Sequence, residues 1–449
     1  MEFIPKEVSF AAAKLAEFNR NRFRMETAGA TSATASSIVT INLPDAATLD
    51  LRTFRVHMDV ITNNPLTGGG ARVVYGKFAH ASDLIANMEV YMGGVQVQQG
   101  IGEYNTATRM FKLATTSFDR RHSVDTLLHN DLKNEDEQSN VSVVFIPLIG
   151  FFAESATRYI PTSMTGPISV RLTFAPNAVI VPKNTAVDIG AALTAAADVA
   201  AAANVTYTAS NIYATVDTIS MGSAYESMLM QRLQSESFLP VNYAEYYSFN
   251  QSSQTGDHTV RFSLSSSSVD TVLSGMRYSN YATTGIIGRK ADGYTLNEQY
   301  VPNYFYFDSF TANHNAKTKR GDFRFQYSVN NIMHPQFRAD ALNAACDLSL
   351  LTDRPTMDKA GHSVTTLKHF HNGNFVIPLI LNLPGNSLNT RTGFNSRGTN
   401  TNMELQLSGL TAPTAAAATQ IPDSISTIVV AKTTAQLRIG GNRQVAVDR

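Results

Sequence analysis

The stretch Phe145-Ile146-Pro147-Leu148-Ile149 returns late in the chain as Val376-Ile377-Pro378-Leu379-Ile380. Each copy is a short apolar run that contains β-branched residues and one proline. Because proline has no N–H to give to a ladder, such a run predicts a buried strand near the edge of a sheet. The segments around the two copies also recur in the same order, which indicates one fold built twice.

The parallel order of the two halves is visible in their turns and helices. The first half has an alternating strand over 84–90, a turn at Gly93-Gly94 and a helical pattern over 104–114 before its proline-bearing run. The second half has an alternating strand over 323–329, a turn at Asn330-Asn331 and a helix after Pro335. Short strands at this spacing with turn signals predict a β-sandwich and not a βαβ fold.

The chain of 449 residues is too long for one ordinary core. We therefore predict an all-β fold of two consecutive eight-stranded jelly rolls, with short inserted helices and an N-terminal helix. The predicted boundaries are an N-terminal helix and linker over 1–36, jelly roll 1 over 37–222, a linker helix over 223–237 and jelly roll 2 over 238–449.

The predicted N-terminal helix spans residues 8–26 and has a basic end formed by Arg20, Arg22 and Arg24. One interpretation is a solvated helix end that the helix dipole favours. The other is an arm that docks on an anionic or protein surface. The sequence favours neither of the two.

The composition indicates an associating protein. Only 16% of residues are charged, against a typical value of about 25%. The 36 basic and 36 acidic residues give zero net charge, which protects poorly against association and does not favour nucleic-acid binding. The chain has one cysteine, Cys346, which we expect to be buried on a helix face. No signal-peptide core and no membrane-length apolar run are visible, so we expect an intracellular product.

The sequence predicts no enzyme, no cofactor and no metal site. His369 and His371 have strand spacing for one zinc-binding face, but no third ligand lies at an obvious distance, which favours two exposed histidines. Neither a nucleophile elbow nor a phosphate-binding glycine loop is present. A pair of hydrolytic carboxylates far apart in sequence stays open.

The order of elements resembles the double jelly-roll major capsid proteins of double-stranded DNA viruses, especially the virophage, polinton and polinton-like virus branch. The resemblance covers residues from about Ser37 to Val447 and depends on order more than on a strict motif. Its best pieces are Ser82-Asp83-Leu84-Ile85 before the Gly93-Gly94 turn, Phe323 to Pro335 before its helix, and Asn374-Phe375-Val376-Ile377-Pro378 followed by Leu383-Pro384-Gly385-Asn386-Ser387.

This resemblance implies a homotrimer that forms pseudo-hexagonal capsomers of an icosahedral shell, located in the virion. It implies contacts with neighbouring capsomers and with minor capsid or penton proteins. It also places the N-terminal segment on the inner side, where Arg20, Arg22 and Arg24 would contact an internal membrane or a genome-proximal layer. Under this resemblance the long segments 175–209 and 281–322 are candidates for outward towers or inter-subunit contacts.

Three alternatives remain at this stage. A receptor- or carbohydrate-binding β-sandwich, such as a spike or lectin, would use a concave aromatic site, which the run over 304–307 could supply. A sandwich-fold hydrolase would use distant carboxylates. A minor capsid or penton protein of the same lineage is less compatible with two halves, because such proteins generally look like single jelly rolls.

Overall fold

The computed structural model describes most of the chain from residue 19 to residue 449. The described residues are 19–45, 47–63, 74–78, 80–115, 140–184, 206–220, 223–253, 256–279, 303–305, 307–311, 321–351, 370, 372–373, 375–382, 388, 390–397, 402–411 and 424–449. His369, His371 and the greater part of the two segments 175–209 and 281–322 lie outside these residues.

Among the described residues, the first unit has twelve strands and two helices. Its strands are β1 (Asn19–Glu26), β2 (Ala33–Thr34), β3 (Ile38–Asn42), β4 (Thr48–Asn63), β5 (Val74–Lys77), β6 (Ile85–Met92), β7 (Val95–Gln98), β8 (Asn140–Phe145), β9 (Tyr159–Pro161), β10 (Ile168–Phe174), β11 (Val181–Asn184) and β12 (Thr206–Ser220). Its helices are α1 (Tyr104–Thr115) and the single turn α2 (Thr162–Thr165). Helix α3 (Ser223–Glu236), at the position predicted for a helical link, leads to the second unit.

In the described part of the second unit there are eleven strands and one helix. Its strands are β13 (Phe238–Ser253), β14 (His258–Ser263), β15 (Val269–Tyr278), β16 (Phe307–Asp308), β17 (Arg324–Val329), β18 (Ile332–Ala339), β19 (Asn372–Gly373), β20 (Val376–Ile380), β21 (Asn402–Ser408), β22 (Ile425–Gly440) and β23 (Val445–Asp448). Its helix is α4 (Ala341–Ser349). Short 3₁₀ turns lie at Ala81–Leu84, Asn177–Val179, Asn303–Phe305 and Gly441–Arg443.

The described residues of each unit form two main antiparallel sheets with the same internal strand order, besides a two-stranded sheet, β5–β11 or β16–β19. In the first unit the sheets run β1–β12–β4–β8 and β3–β10–β6–β7, and in the second they run β13–β22–β15–β20 and β14–β21–β17–β18. Numbered within their unit, the main strands pair as first, eighth, third and sixth in one sheet, and as second, seventh, fourth and fifth in the other. This double Greek-key order is that of a jelly roll. The predicted two consecutive jelly rolls are confirmed.

The equivalent hairpins β6–β7 and β17–β18 turn as the sequence predicts. Gly93 and Gly94 have φ of +53° and +84°, and Asn330 and Asn331 have φ of +50° and +66°. Two successive positive φ values define a type I′ turn, whose twist matches the flanking strands and which favours glycine and asparagine. The same local chemistry therefore places the same hairpin in both units.

Alternation places the core between the two sheets of each unit. Along β10 the residues Ile168, Val170, Leu172 and Phe174 are buried, while Arg171 between them is exposed. In β21 the buried residues are Met403, Leu405 and Leu407. Because side chains of a strand alternate between faces, each run sends its apolar set inward.

The predicted helix over 8–26 is wrong for residues 19–26, which form β1; the residues before 19 lie outside the described part. Strand β1 pairs with β12 along its whole length, from Asn19 opposite Ser220 to Glu26 opposite Tyr213. The segment Asn19-Arg20-Asn21-Arg22-Phe23-Arg24-Met25 also fits a period of two, and Met25 packs into the core. Hydrogen bonding to the edge of β12 therefore outweighs the local helical propensity of residues 19–26.

The two Ile-Pro-Leu-Ile copies have different conformations. The first copy leaves β8 after Phe145, whereas the second forms β20 over its whole length, with Pro378 opposite Leu273. The prediction of a strand is therefore wrong for residues 146–149 and right for 376–380. Strands β8 and β20 are edge strands at equivalent positions in their sheets. An edge position is expected for a strand that contains a proline or is followed by one.

Candidate assembly surfaces

The two units meet in one apolar contact, which we call the join. On the second unit the join uses the outer face of the β13–β22–β15–β20 sheet, the face turned away from that unit's own core. Its Leu273, Val376, Ile428 and Val430 cluster with the first unit's core, while the alternating neighbours Val272, Ile377, Val429 and Ala431 fill the second unit's core. This sheet is therefore buried on both faces.

On the first unit the join uses α1, β7 and the segment after β8. The Phe111 ring of α1 packs edge-on against Tyr246 of β13 with centroids 5.1 Å apart, and Phe151 packs edge-on against Tyr243 at 5.3 Å. The Tyr243 hydroxyl donates to the carbonyl of Val97 in β7 at 2.6 Å. Large aromatic side chains with a satisfied hydroxyl thus fix the relative position of the units.

Backbone pairing extends across the join. The N–H of Ala156 donates to the carbonyl of Asn242 at 2.8 Å, and the N–H of Ala244 donates to the carbonyl of Glu154 at 2.9 Å. A short β-bridge between Ser155 and Tyr243 therefore attaches the first unit to β13.

One charged pair described here crosses the join, and a second pair, within the second unit, also contacts the first unit. Lys432 Nζ lies 2.6 Å from Glu154 Oε1, and the Tyr246 hydroxyl donates to the other carboxylate oxygen. Arg449 Nε lies 3.0 Å from Oε1 of the buried Glu245 and its Nη2 donates to the carbonyl of Gln96. Burial raises the pKa of Glu245, although Arg449 opposes this shift. Burying charges carries a desolvation penalty even when they are paired, and removing one partner of such a pair is strongly destabilising.

The arginines singled out in the sequence lie on the outer face of the β1–β12–β4–β8 sheet, which we call the β1 face. Arg20 and Arg22 both form ion pairs with Asp217 of β12, with Arg22 Nε 2.7 Å from Oδ1. The hydrogen bond from Arg22, with further contributions from Arg20, holds the pKa of Asp217 below its ordinary value. Arg24 pairs with Glu26 at 2.7 Å. The basic cluster is therefore partly neutralised within the chain.

A stack of three side chains crosses the β1 face. The Arg24 guanidinium lies 3.9 Å from the centroid of the Tyr213 ring, and Tyr213 stacks on His57 at 4.7 Å. Desolvation, followed by the charges of Arg55, Arg22 and Arg24, lowers the pKa of His57. The lowered pKa favours the neutral imidazole, and the exposed surface of this face combines arginine, hydroxyl and aromatic groups with the Glu26 carboxylate that pairs with Arg24.

A second exposed surface, which we call the α4 side, lies on β18 and α4 of the second unit. Phe337 of β18 is 58% exposed and Leu350 after α4 is 74% exposed. Exposed side chains on α4 follow helical spacing at Leu342, Cys346 and Ser349. The expectation of a buried cysteine is wrong, because Ala341 and Ala344 face inward and Cys346 lies on the opposite side of the helix. Exposed apolar side chains on two successive elements make the α4 side a candidate interaction surface.

The described aromatic residues of the run over 304–307 do not form a surface site. Tyr304, Phe305 and Phe307 are at most 3% exposed and belong to the cluster at the join. The carbohydrate-binding alternative loses the feature that supported it. Within the described residues no group of three or more histidine, cysteine, aspartate or glutamate side chains could hold a metal ion.

One signal in the sequence could have located the join. In β22 the run Ile428-Val429-Val430-Ala431 is continuously apolar, as expected for a strand covered on both faces. The equivalent β12 alternates, with Tyr207, Ala209 and Ala214 buried between more exposed polar residues. The difference marks one sheet as covered on both faces and the other as covered on one face only.

The helices in the described part of the chain are too short or too polar to span a bilayer.

The repeated strand order and the join define a double jelly-roll protein. No family model matches the sequence, and no curated protein matches it either. The fold is similar to VP54 of PBCV-1, as fitted into a cryo-EM reconstruction of the virophage Sputnik, with a TM-score of 0.60, 14% identity and 97% of each chain covered.

Two further solved structures have the same architecture. The Faustovirus major capsid protein matches with a TM-score of 0.55 and 11% identity, over 95% of this chain and 91% of that one. A chain of the Sputnik virophage structure matches with a TM-score of 0.52 and 10% identity, over 96% and 88%. At these identities the likeness establishes the fold, and it agrees with the resemblance found in the sequence.

Proposed function

We propose that the chain is the major capsid protein of an icosahedral double-stranded DNA virus, located in the shell of the virion. The observation that carries this proposal is the pair of jelly rolls with identical strand order, packed together in one chain and similar over 97% of its length to VP54. Three copies would place six equivalent units around one axis, which gives a pseudo-hexagonal capsomer. The role is structural, and no catalytic step is assigned to any residue.

The proposed partners are other copies of the chain, neighbouring capsomers, and minor capsid or penton proteins. Low charge and zero net charge support extensive association. An inner-layer or membrane contact through Arg20, Arg22 and Arg24 stays a prediction, and Asp217 already competes for two of these side chains.

Light scattering and native mass spectrometry of the expressed 48.8 kDa chain test the proposal. The expected species is a trimer, and electron micrographs at higher concentration are expected to contain capsomers or shells. A stable monomer at all concentrations contradicts the proposal. A glycan array is expected to give no binding.

A further inference from the structure

A groove lined by methionine lies where α3 passes between the two units, away from the join. Its lining includes Met164 of α2, Met230 and Leu233 of α3, and Arg443 after β22. At its edge Arg443 Nε donates to the carbonyl of Ser163 at 3.1 Å. The groove has a volume of about 520 Å³, within the ~300–1,000 Å³ typical of binding clefts. Because both units line it, an occupant would contact both of them.

Helix α3 leaves apolar surface without a partner on its groove side. Leu229 and Leu233, one helical turn apart, are the side chains of α3 that pack against the core of the first unit. Met228 is 59% exposed and Met230 is 51% exposed. Two positions apart on a helix of 3.6 residues per turn, they lie on opposite sides, and only Met230 lines the groove. The described part of the chain leaves this groove open.

The strand register places the start of β1 close to the groove. Arg20 of β1 lies opposite Ile219 of β12, and Ile219 lies opposite Thr48 of β4. Thr48 in turn lies opposite Pro161, the last residue before α2. This row crosses three strand spacings of about 4.8 Å each, so the chain enters β1 about 14 Å from the start of α2.

The segment before β1 also starts out beside α3. Asn19 lies opposite Ser220, and α3 begins at Ser223. Because β1 and β12 are antiparallel, the residues before Asn19 and those after Ser220 leave the sheet at the same end. Helix α3 rises about 15 Å from its start to Leu233, and residues 8–18 at the same helical rise would also span about 15 Å. The segment is therefore long enough to reach the groove.

The sequence of this segment supplies an apolar stripe. Val8, Ala11, Leu15 and Phe18 recur at spacings of three and four, which is the pattern of one apolar helix face. A helix shorter than about 12–15 residues is marginal in water by itself, so such a stripe needs a surface to pack against. Methionine side chains adapt to irregular apolar partners, which suits the groove to this role.

We propose that residues 8–18 bind the groove of their own chain, with the Val8–Phe18 stripe against Met230 and Leu233. The contact attaches the start of the chain to both units at α3 and removes the exposed methionine of the groove from water. It requires a single chain, so it does not depend on the proposed function. On this proposal the apolar stripe of the segment is occupied within the chain and is not offered to a membrane.

Trypsin digestion of the full chain tests the proposal, because Lys14 lies in the segment. Cleavage after Lys14 is expected to be slow in the unaltered chain. Met230→Asp places a charge in the groove at a half-exposed position, so circular dichroism is expected to show an intact fold. Cleavage after Lys14 is expected to become about tenfold faster in this variant.

Met228→Asp is the matched control, because it changes the same residue type on the same helix outside the groove. It is expected to keep Lys14 protected. Equal cleavage rates in the unaltered chain and in Met230→Asp overturn the proposal. Equal acceleration by Met228→Asp and Met230→Asp also overturns it, since the effect would then not come from the groove.

Cross-linking identifies the occupant of the groove. In the Cys346→Ser chain, which removes the one native thiol, Leu15→Cys with Met230→Cys is expected to give a cross-linked monomer with a short bismaleimide. Leu15→Cys with Met228→Cys is expected to give much less. Covalent dimers in place of the monomer would mean that a second copy supplies the segment. Protection of Lys14 only with phosphatidylglycerol vesicles would mean that a membrane binds it. Either result contradicts the proposal.

Discussion

Arg277 of the second unit donates a hydrogen bond from Nη2 to Oε1 of Glu103 in the first unit at 3.0 Å, although Arg277 is only 1% exposed. Its Nη1 donates to the carbonyl of Tyr304 at 2.6 Å, and the guanidinium lies 4.2 Å from the Tyr304 ring centroid. A buried cation is tolerable only with such partners, so this pair fixes how the two units are placed.

Arg277→Met is expected to lower the free energy of unfolding by about 3–5 kcal/mol, because Glu103 is left largely buried without its cation. Urea unfolding followed by tyrosine fluorescence measures this loss. The double variant Arg277→Met with Glu103→Gln is expected to recover part of it, since the uncompensated charge is then removed.

The matched control is Arg261→Met. Arg261 also pairs with a glutamate, Glu404, at 3.0 Å, but it is 72% exposed. An exposed pair contributes little, so the expected loss is below about 1 kcal/mol. Equal losses in Arg261→Met and Arg277→Met would contradict a special role for the pair at the join.

The packing at the join leaves no room for a side chain at Gly275. A Cβ added at Gly275 would lie 2.5 Å from Met110 Cε of α1 and 2.8 Å from Phe307 Cδ1. Gly275→Ala is therefore expected to lower the free energy of unfolding by about 1–3 kcal/mol through overpacking. Thermal unfolding of the purified chain measures this effect.

Met110→Ala in the same chain tests whether α1 causes the overpacking. The double variant is expected to lose less stability than the sum of the two single losses, because the alanine leaves room for the new Cβ. Gly441→Ala is the control, since no atom lies within 4 Å of the corresponding Cβ. Strict additivity of Gly275→Ala and Met110→Ala would contradict direct contact.

The jelly-roll order could be predicted because its signals are local. Alternation in β10 and β21, and the turns at Gly93-Gly94 and Asn330-Asn331, depend on residues a few positions apart. The strand conformation of β1 could not be predicted, because it depends on pairing with β12. This pairing brings Arg22 next to Asp217, which is 195 positions away in the sequence. Local spacing there was compatible with both a helix and a strand.

The surfaces were harder to predict than the fold for the same reason. Burial of Tyr304 and Phe307 results from contact between units that are separate in sequence, so the aromatic run resembled a binding site. Cys346 is exposed because α4 directs its alanines inward, which depends on how the helix sits on β20. Residue type alone does not determine such orientation.

The stability of the chain is expected to fall with rising pH where Asp270 titrates. Asp270 is buried beside the Thr434 hydroxyl at 2.6 Å, and burial raises its pKa above the ordinary value. Folding therefore favours the protonated acid, so its contribution is greatest below the ordinary carboxyl range and decreases as pH rises through the raised pKa. Asp270→Asn is expected to flatten this slope, measured by urea unfolding across a pH series. An unchanged slope contradicts the assignment.

Asp217 is expected to give the opposite slope. The Arg22 hydrogen bond lowers its pKa, so the folded state favours the carboxylate, and the stability it adds is present above the ordinary pKa and lost as pH falls through the lowered value. Asp217→Asn is therefore expected to cost stability near neutral pH and to converge with the unaltered chain in acid. Because the arginines are exposed, salt is expected to weaken the effect. A loss that is equal at every pH would mean that Asp217 acts through packing, and the β1 face would then not be organised by charge.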